Sequence, residues 1–195
     1  MDPLIHLTHI KNCINTGKIS DENQSEEYDT YSKKIGEFIN VYCVANNKKK
    51  LAAMDFSSYG IRKFRKMDKD LINSIIDYCN SKNVQILHNK KTGGMYLKSI
   101  FFLPKNYKNA LKLMKILWYP ELVENITNIT YHCYVGLLLG YSKKNIKYFI
   151  KKHYEINITN ADLSEIMTEI NNMEVTLEDL QSDYKIVHLT TIKNI

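Results

Sequence analysis

The run Tyr131-His-Cys-Tyr-Val-Gly-Leu-Leu-Leu-Gly-Tyr141 decides how the second half of the chain is read. It is apolar all round, too short for the roughly 20 residues a bilayer requires, and it contains His132 and two glycines. A helix of this kind must be buried inside a protein core. Gly140 is its natural C′ residue, and Ser142 is placed to cap a following helix in which Ile146, Phe149 and Ile150 are expected to face inward.

Working outward from this run, Pro104 opens a stretch where Ala110, Leu111, Leu113, Met114, Leu117 and Trp118 share one helical face, and Pro120 closes it. Thr159 with Asp162, and Thr176 with Asp179, have capping-box spacing with Asp in place of the usual Glu, which predicts two acidic helices. Residues 185–192 alternate as a last strand.

The first half reads differently. Helical spacing of Tyr28, Tyr31, Ile35, Phe38 and Ile39 predicts a helix over about 25–40. Val41 to Ala45 and Leu51 to Phe56 flank Asn46-Asn47-Lys48-Lys49 as a β-hairpin with a basic tip. Asp68 can cap a helix with Leu71, Ile72, Ile75, Ile76 and Cys79 on one face. Val84 to His88 and Met95 to Leu103 form a second hairpin around Gly93-Gly94, where glycine tolerates the positive φ of a tight turn. The expected fold is α+β, a small antiparallel sheet from two β-hairpins with a helix between them, followed by a mainly helical C-terminal half. No internal repeat is evident. A single domain over 1–195 is the simpler organisation, with 104–184 as an alternative helical subdomain.

Charge is distributed unevenly along the 195 residues, whose formal total is +6. Residues 30–154 hold 23 Lys or Arg against 7 Asp or Glu, a net of +16, whereas the first 29 residues carry −4 and the last 41 carry −6. Lys90 and Lys91 at the second hairpin tip, with Lys143, Lys144, Lys147 and Lys151 on one helix, could track a phosphate backbone. Lys143 and Lys144 fall in a helix's first turn, where the dipole disfavours cations by about 0.3–1 kcal/mol unless an anion binds. The alternative is a solvated lysine face produced by codon bias. Only Arg62 and Arg65 represent arginine, which argues against bidentate readout of guanine and leaves non-specific or RNA-shape binding open. Tyr59, Tyr96, Tyr107, Trp118, Tyr148 and Tyr154 interleave with the lysines and could stack bases, although such aromatics also build cores.

Ile, Asn, Lys and Tyr make up 83 residues, a bias expected of an AT-rich genome. In this texture, and around Tyr131–Tyr141 with the lysine-rich helix after it, the chain resembles uncharacterised proteins of giant DNA viruses of the mimivirus type. The resemblance covers no catalytic motif. It implies an intracellular setting, the host cytoplasm or nucleus, as does the lack of a secretory leader pattern at the start.

Two constellations could carry chemistry. His6-Leu-Thr8 and His188-Leu-Thr190 resemble the paired His-x-Thr motifs of the two-histidine phosphoesterases, which implies acid/base work by His6 and His188 on a phosphodiester, with Thr8 and Thr190 beside them. The two triplets stand at opposite ends of the chain, farther apart than that family's pattern. His6, His9 and Cys13 would share one face of a helix and could bind zinc with His132, Cys133 or His188, but no zinc-finger spacing is met and no metal is expected. The four cysteines form no Cys-x-x-Cys, and no Walker A, dinucleotide fingerprint, nucleophile elbow or His-Glu-x-x-His occurs. The expectation is a non-enzymatic, cofactor-free binding module for nucleic acid or an acidic protein partner, with the phosphodiesterase as the alternative.

Overall fold

The computed structural model describes residues 39–57, 77–90, 96–118, 127–181 and 185–190. Residues 39–45 are helical (α1), so Val41 to Ala45 do not form the first strand of a hairpin. Asn47 explains the difference. Its φ of 56° suits a hairpin turn, but here it ends a helix. Lys48 N–H donates to Cys43 O at 2.8 Å and Asn47 N–H to Val44 O at 2.9 Å, the bond pair of a Schellman motif.

The chain uses the same device a second time. Residues 77–81 are helical (α2), Asn83 has φ 55°, Val84 N–H donates to Cys79 O at 3.0 Å, and Asn83 N–H to Asn80 O at 3.1 Å. Tyr42-Cys43 and Tyr78-Cys79 stand at matching places before the two asparagines, and the Tyr42 and Tyr78 rings stack at 5.2 Å. Tyr78 Oη also donates to Asn46 Oδ1 at 2.8 Å. A short helix–asparagine–strand unit is therefore repeated, contrary to the sequence reading. Residues 25–38 of the expected first helix, and residues 68–76 of the helix that Asp68 was expected to cap, lie outside the described residues.

Strands β1 (Leu51–Ser57) and β2 (Gln85–Lys90) follow these turns, and both pair antiparallel with β3 (Tyr96–Phe102). Leu51 and Gln85 flank Phe102 from opposite sides. The β2–β3 hairpin is thus present as read, with its tip outside the described residues. β4 (Lys185–Leu189) joins β2, so the sheet order among the described residues is β1-β3-β2-β4, antiparallel throughout. Because strand side chains alternate, Leu51, Leu87, Ile100, Phe102 and Ile186 share the face that joins the helical core. Ala52, Met54, Ile86, Ser99 and Phe101 point the other way and are also buried, as are Val41, Val44 and Cys79 from α1 and α2. Burial on both faces is why these strands read as apolar runs.

After a 3₁₀ turn at Pro104–Asn106, α3 (Tyr107–Trp118) lies on β2 and β3. α4 (Asn128–Leu138) is the buried helix anticipated, packed against α3, α5 (Lys143–Tyr154) and α6 (Asn160–Asn172). Leu51, Ile100, Met114, Leu137, Ile150 and Leu163 belong to one core spanning sheet and helices. Thr159 and Asp162 complete a reciprocal capping box. Thr176 and Asp179 make the same bonds but introduce only a 3₁₀ turn, Glu178–Leu180, instead of a second acidic helix. A capping box satisfies the first amides of a turn and does not supply the apolar face that would extend it.

Lys112 on α3 closes the other end of α6. Its ammonium donates to Ile170 O at 2.6 Å and Asn171 O at 3.2 Å, placing a cation on carbonyls at the negative end of the helix dipole. Burial, then Lys108, lowers its pKa. Lys112→Met keeps the aliphatic stem and removes both bonds. The expected loss is about 1–2 kcal/mol in urea unfolding, and an unchanged midpoint would refute this capping role.

Candidate nucleic-acid interface

The turn between α4 and α5 is built by three local choices. Gly140, at φ 81°, accepts the left-handed conformation, and Tyr141 N–H and Gly140 N–H donate to Gly136 O and Leu137 O at 2.9 and 3.1 Å. Ser142 Oγ then caps α5 by accepting from Asn145 N at 3.2 Å. Gly136 lets the two helices approach, since a Cβ there would lie only 3.0 Å from Ile146 Cγ1. Beside this crossing lies a groove of about 340 Å³, with Gly136 and Ile146 among its lining residues.

The groove is otherwise mainly aromatic, with His132, Tyr141, Tyr148 and Phe149 joined by the amide of Asn145. His132 lies 5.1 Å from Phe149, 5.2 Å from Tyr131 and 5.7 Å from Tyr154, measured between ring centroids, and Phe149 lies 4.3 Å from His153. Phe149 is not buried as its spacing predicted. It is 38% exposed, Tyr141 44% and Tyr148 67%. Lys49 Nζ sits 4.6 Å over the Tyr141 ring while donating to Asn40 Oδ1 at 2.7 Å, which ties the α1–β1 connection to this edge.

On α5, Lys144 and Lys151 are exposed and Lys147 is half-buried, sharing one side of the helix as anticipated. Lys144, Lys151 and Lys152 occupy positions i−4, i+3 and i+4 relative to Tyr148, so they share its side of the helix, and all four side chains are exposed. Lys152 was missed by the sequence reading, and its place in the helix is the signal that identifies it. Lys143 is partly engaged, donating to Ser164 Oγ at 2.9 Å. Lys90 ends β2 opposite Lys185, far along the chain from this cluster, and Lys91 lies outside the described residues.

The alternative catalytic group divides. His188 is packed between sheet and helix, its ring 4.9 Å from Tyr107 and 5.7 Å from Phe102, with Nε2 donating to Gln85 Oε1 at 2.9 Å. Thr190 is exposed, and His6 and Thr8 lie outside the described residues. A second histidine contact, which the sequence does not signal, is His88 Nδ1 with Ser99 Oγ at 2.6 Å. Ser99 is fully buried, so this contact satisfies a buried hydroxyl. Among the described residues no three His, Cys, Asp or Glu side chains gather as metal ligands. Cys133 is in the core, while His132 lines the groove and His188 lies against Tyr107. His9 and Cys13 also lie outside the described residues. No helix among those residues is long and apolar enough to cross a membrane.

Burial holds the pKa of His188 below the ordinary histidine value of 6.5, and burial followed by His153 does the same for His132. Unfolding therefore releases two imidazoles that take up protons more readily. Between 6.5 and their lower folded values the unfolded chain binds more protons, so stability falls as pH drops through that window. Thermal melts should show a lower midpoint at pH 5.5 than at 7.5, with a smaller difference in His188→Gln. An equal difference in that variant would remove His188 from the explanation.

In comparisons with known proteins, no protein-family model, no curated protein and no solved structure matched the chain.

Proposed function

We propose that this chain is a non-enzymatic module that binds nucleic acid through the lysine side of α5. The observation that carries the reading is the exposed Tyr148 with Lys144, Lys151 and Lys152 one turn away on the same side of α5 and Lys147 next to it in the helix. Flexible ammonium groups bind phosphates as point charges and confer no base preference. With two arginines in the whole chain, affinity is expected to come from charge neutralisation and to be tolerant of sequence.

Fluorescence anisotropy with labelled oligonucleotides at low and physiological salt tests the reading. Binding should weaken steeply with salt and vary little between sequences. No binding to any nucleic acid, with retention on an acidic polypeptide instead, would assign the lysine face to a protein partner.

A further inference from the structure

The geometry points to the α4–α5 groove as a receptor for one unpaired nucleobase, which makes the ligand a single strand; this rests on the nucleic-acid reading above and specifies its substrate class. An exposed lysine row accounts for phosphate binding but not for the aromatic cleft beside it. That cleft combines three features that a base requires. Tyr148 and Phe149 line it as partly exposed aromatic side chains, and base–aromatic stacking tolerates sequence because every base has a π-face. The volume of about 340 Å³ is at the small end of ligand sites, suited to one base and not a run of stacked bases. Asn145 supplies an amide able both to donate to and to accept from a base edge, whichever base enters.

Charge selects this occupant over an apolar peptide or a second copy of the chain. Lys144, Lys151 and Lys152 lie one helical turn from Tyr148 on its side of α5, and Lys49 stands over Tyr141 at the groove's edge. A second copy would place the same cations against each other. An apolar peptide would leave them without counter-ions. A strand with a negative phosphate on either side of each base satisfies the rim and the groove together. A duplex can meet the lysines, but its bases are stacked and paired and cannot enter the groove without being flipped out.

Anisotropy titrations with a labelled 12-nucleotide single strand, the corresponding duplex and an abasic strand of equal length separate the two claims. The single strand is expected to bind more tightly than the abasic strand at every salt concentration. Tyr148→Ser alters a mostly exposed side chain and should weaken single-strand binding by about 5- to 150-fold, the range for loss of one base stack, while leaving the salt slope unchanged. Tyr148→Trp should restore binding, and circular dichroism melts check that both variants fold. Equal binding of all three ligands, unaffected by Tyr148→Ser, would overturn the base site and leave the phosphate-binding reading intact. Absence of binding to all three would overturn both. A dimer in sedimentation that Tyr148→Ser dissociates would overturn the base site in favour of an interface between copies.

Discussion

Replacing Phe102 by Ala is expected to cost about 3–5 kcal/mol, the usual range for truncating a fully buried aromatic ring. Phe102 ends β3, where it is flanked by Leu51 of β1 and Gln85 of β2, and it has no exposed surface. Its ring lies 5.8 Å from Tyr107 of α3 and 5.7 Å from His188 of β4. One side chain thus touches the sheet, the first helix laid on it and the last strand. Against a typical total of about 5–15 kcal/mol, the loss would remove a large share of the stability. Phe102→Leu retains most of the apolar contact and should cost roughly 1.5 kcal/mol. Urea unfolding followed by circular dichroism measures both. A change below about 1 kcal/mol for Phe102→Ala would mean that the helical half does not depend on this junction.

The parts of this core that were legible in the sequence are those with local punctuation. Ser142, Thr159 with Asp162, and Gly140 each perform the backbone task their residue type suggests, so α4, α5 and α6 lie close to their expected positions. Errors arose where one residue type serves two structures. Asn47 in a left-handed conformation can turn a hairpin or end a helix, and the five apolar residues at 41–45 have no periodicity long enough to decide. The pairing of β4 with β2 was beyond local reading, because it joins residues about 100 positions apart.

The groove was missed for a related reason. Helical spacing from Ile146 places Phe149 inward, yet it is 38% exposed beside the α4–α5 crossing. Gly136 lets the helices approach at Ile146, while His132, Tyr141 and Phe149 line the groove beside that crossing. An aromatic residue at the margin of a buried stripe can line a core or a cleft, and only the position of the neighbouring helix distinguishes them. The lysine side of α5 was legible because the helix itself dictates it. What a linear reading could not supply was that the cations stand beside a cleft.

That adjacency gives the lysines their largest expected effect. Removing charge at Lys144, Lys147 and Lys151 by substitution with Gln should lower the slope of log affinity against log salt by roughly 2, taking about 0.7 for each phosphate contact on a single strand. Because this contribution grows as salt falls, the same slope implies about 100-fold weaker binding at 0.1 M salt, with the two proteins converging toward 1 M. The loss should be similar for all sequences, since phosphates carry no base information. Two of the three side chains are exposed and none is in the core, so folding should be retained. Tyr148→Ser is expected to behave oppositely, shifting affinity by the same factor at every salt concentration. The two lines therefore separate on one plot, where a changed gradient reports phosphates and a parallel offset reports the base. An unchanged gradient in the triple variant would show that these lysines are a solvated face only, and the nucleic-acid contact would have to be sought among the basic residues elsewhere in the central region.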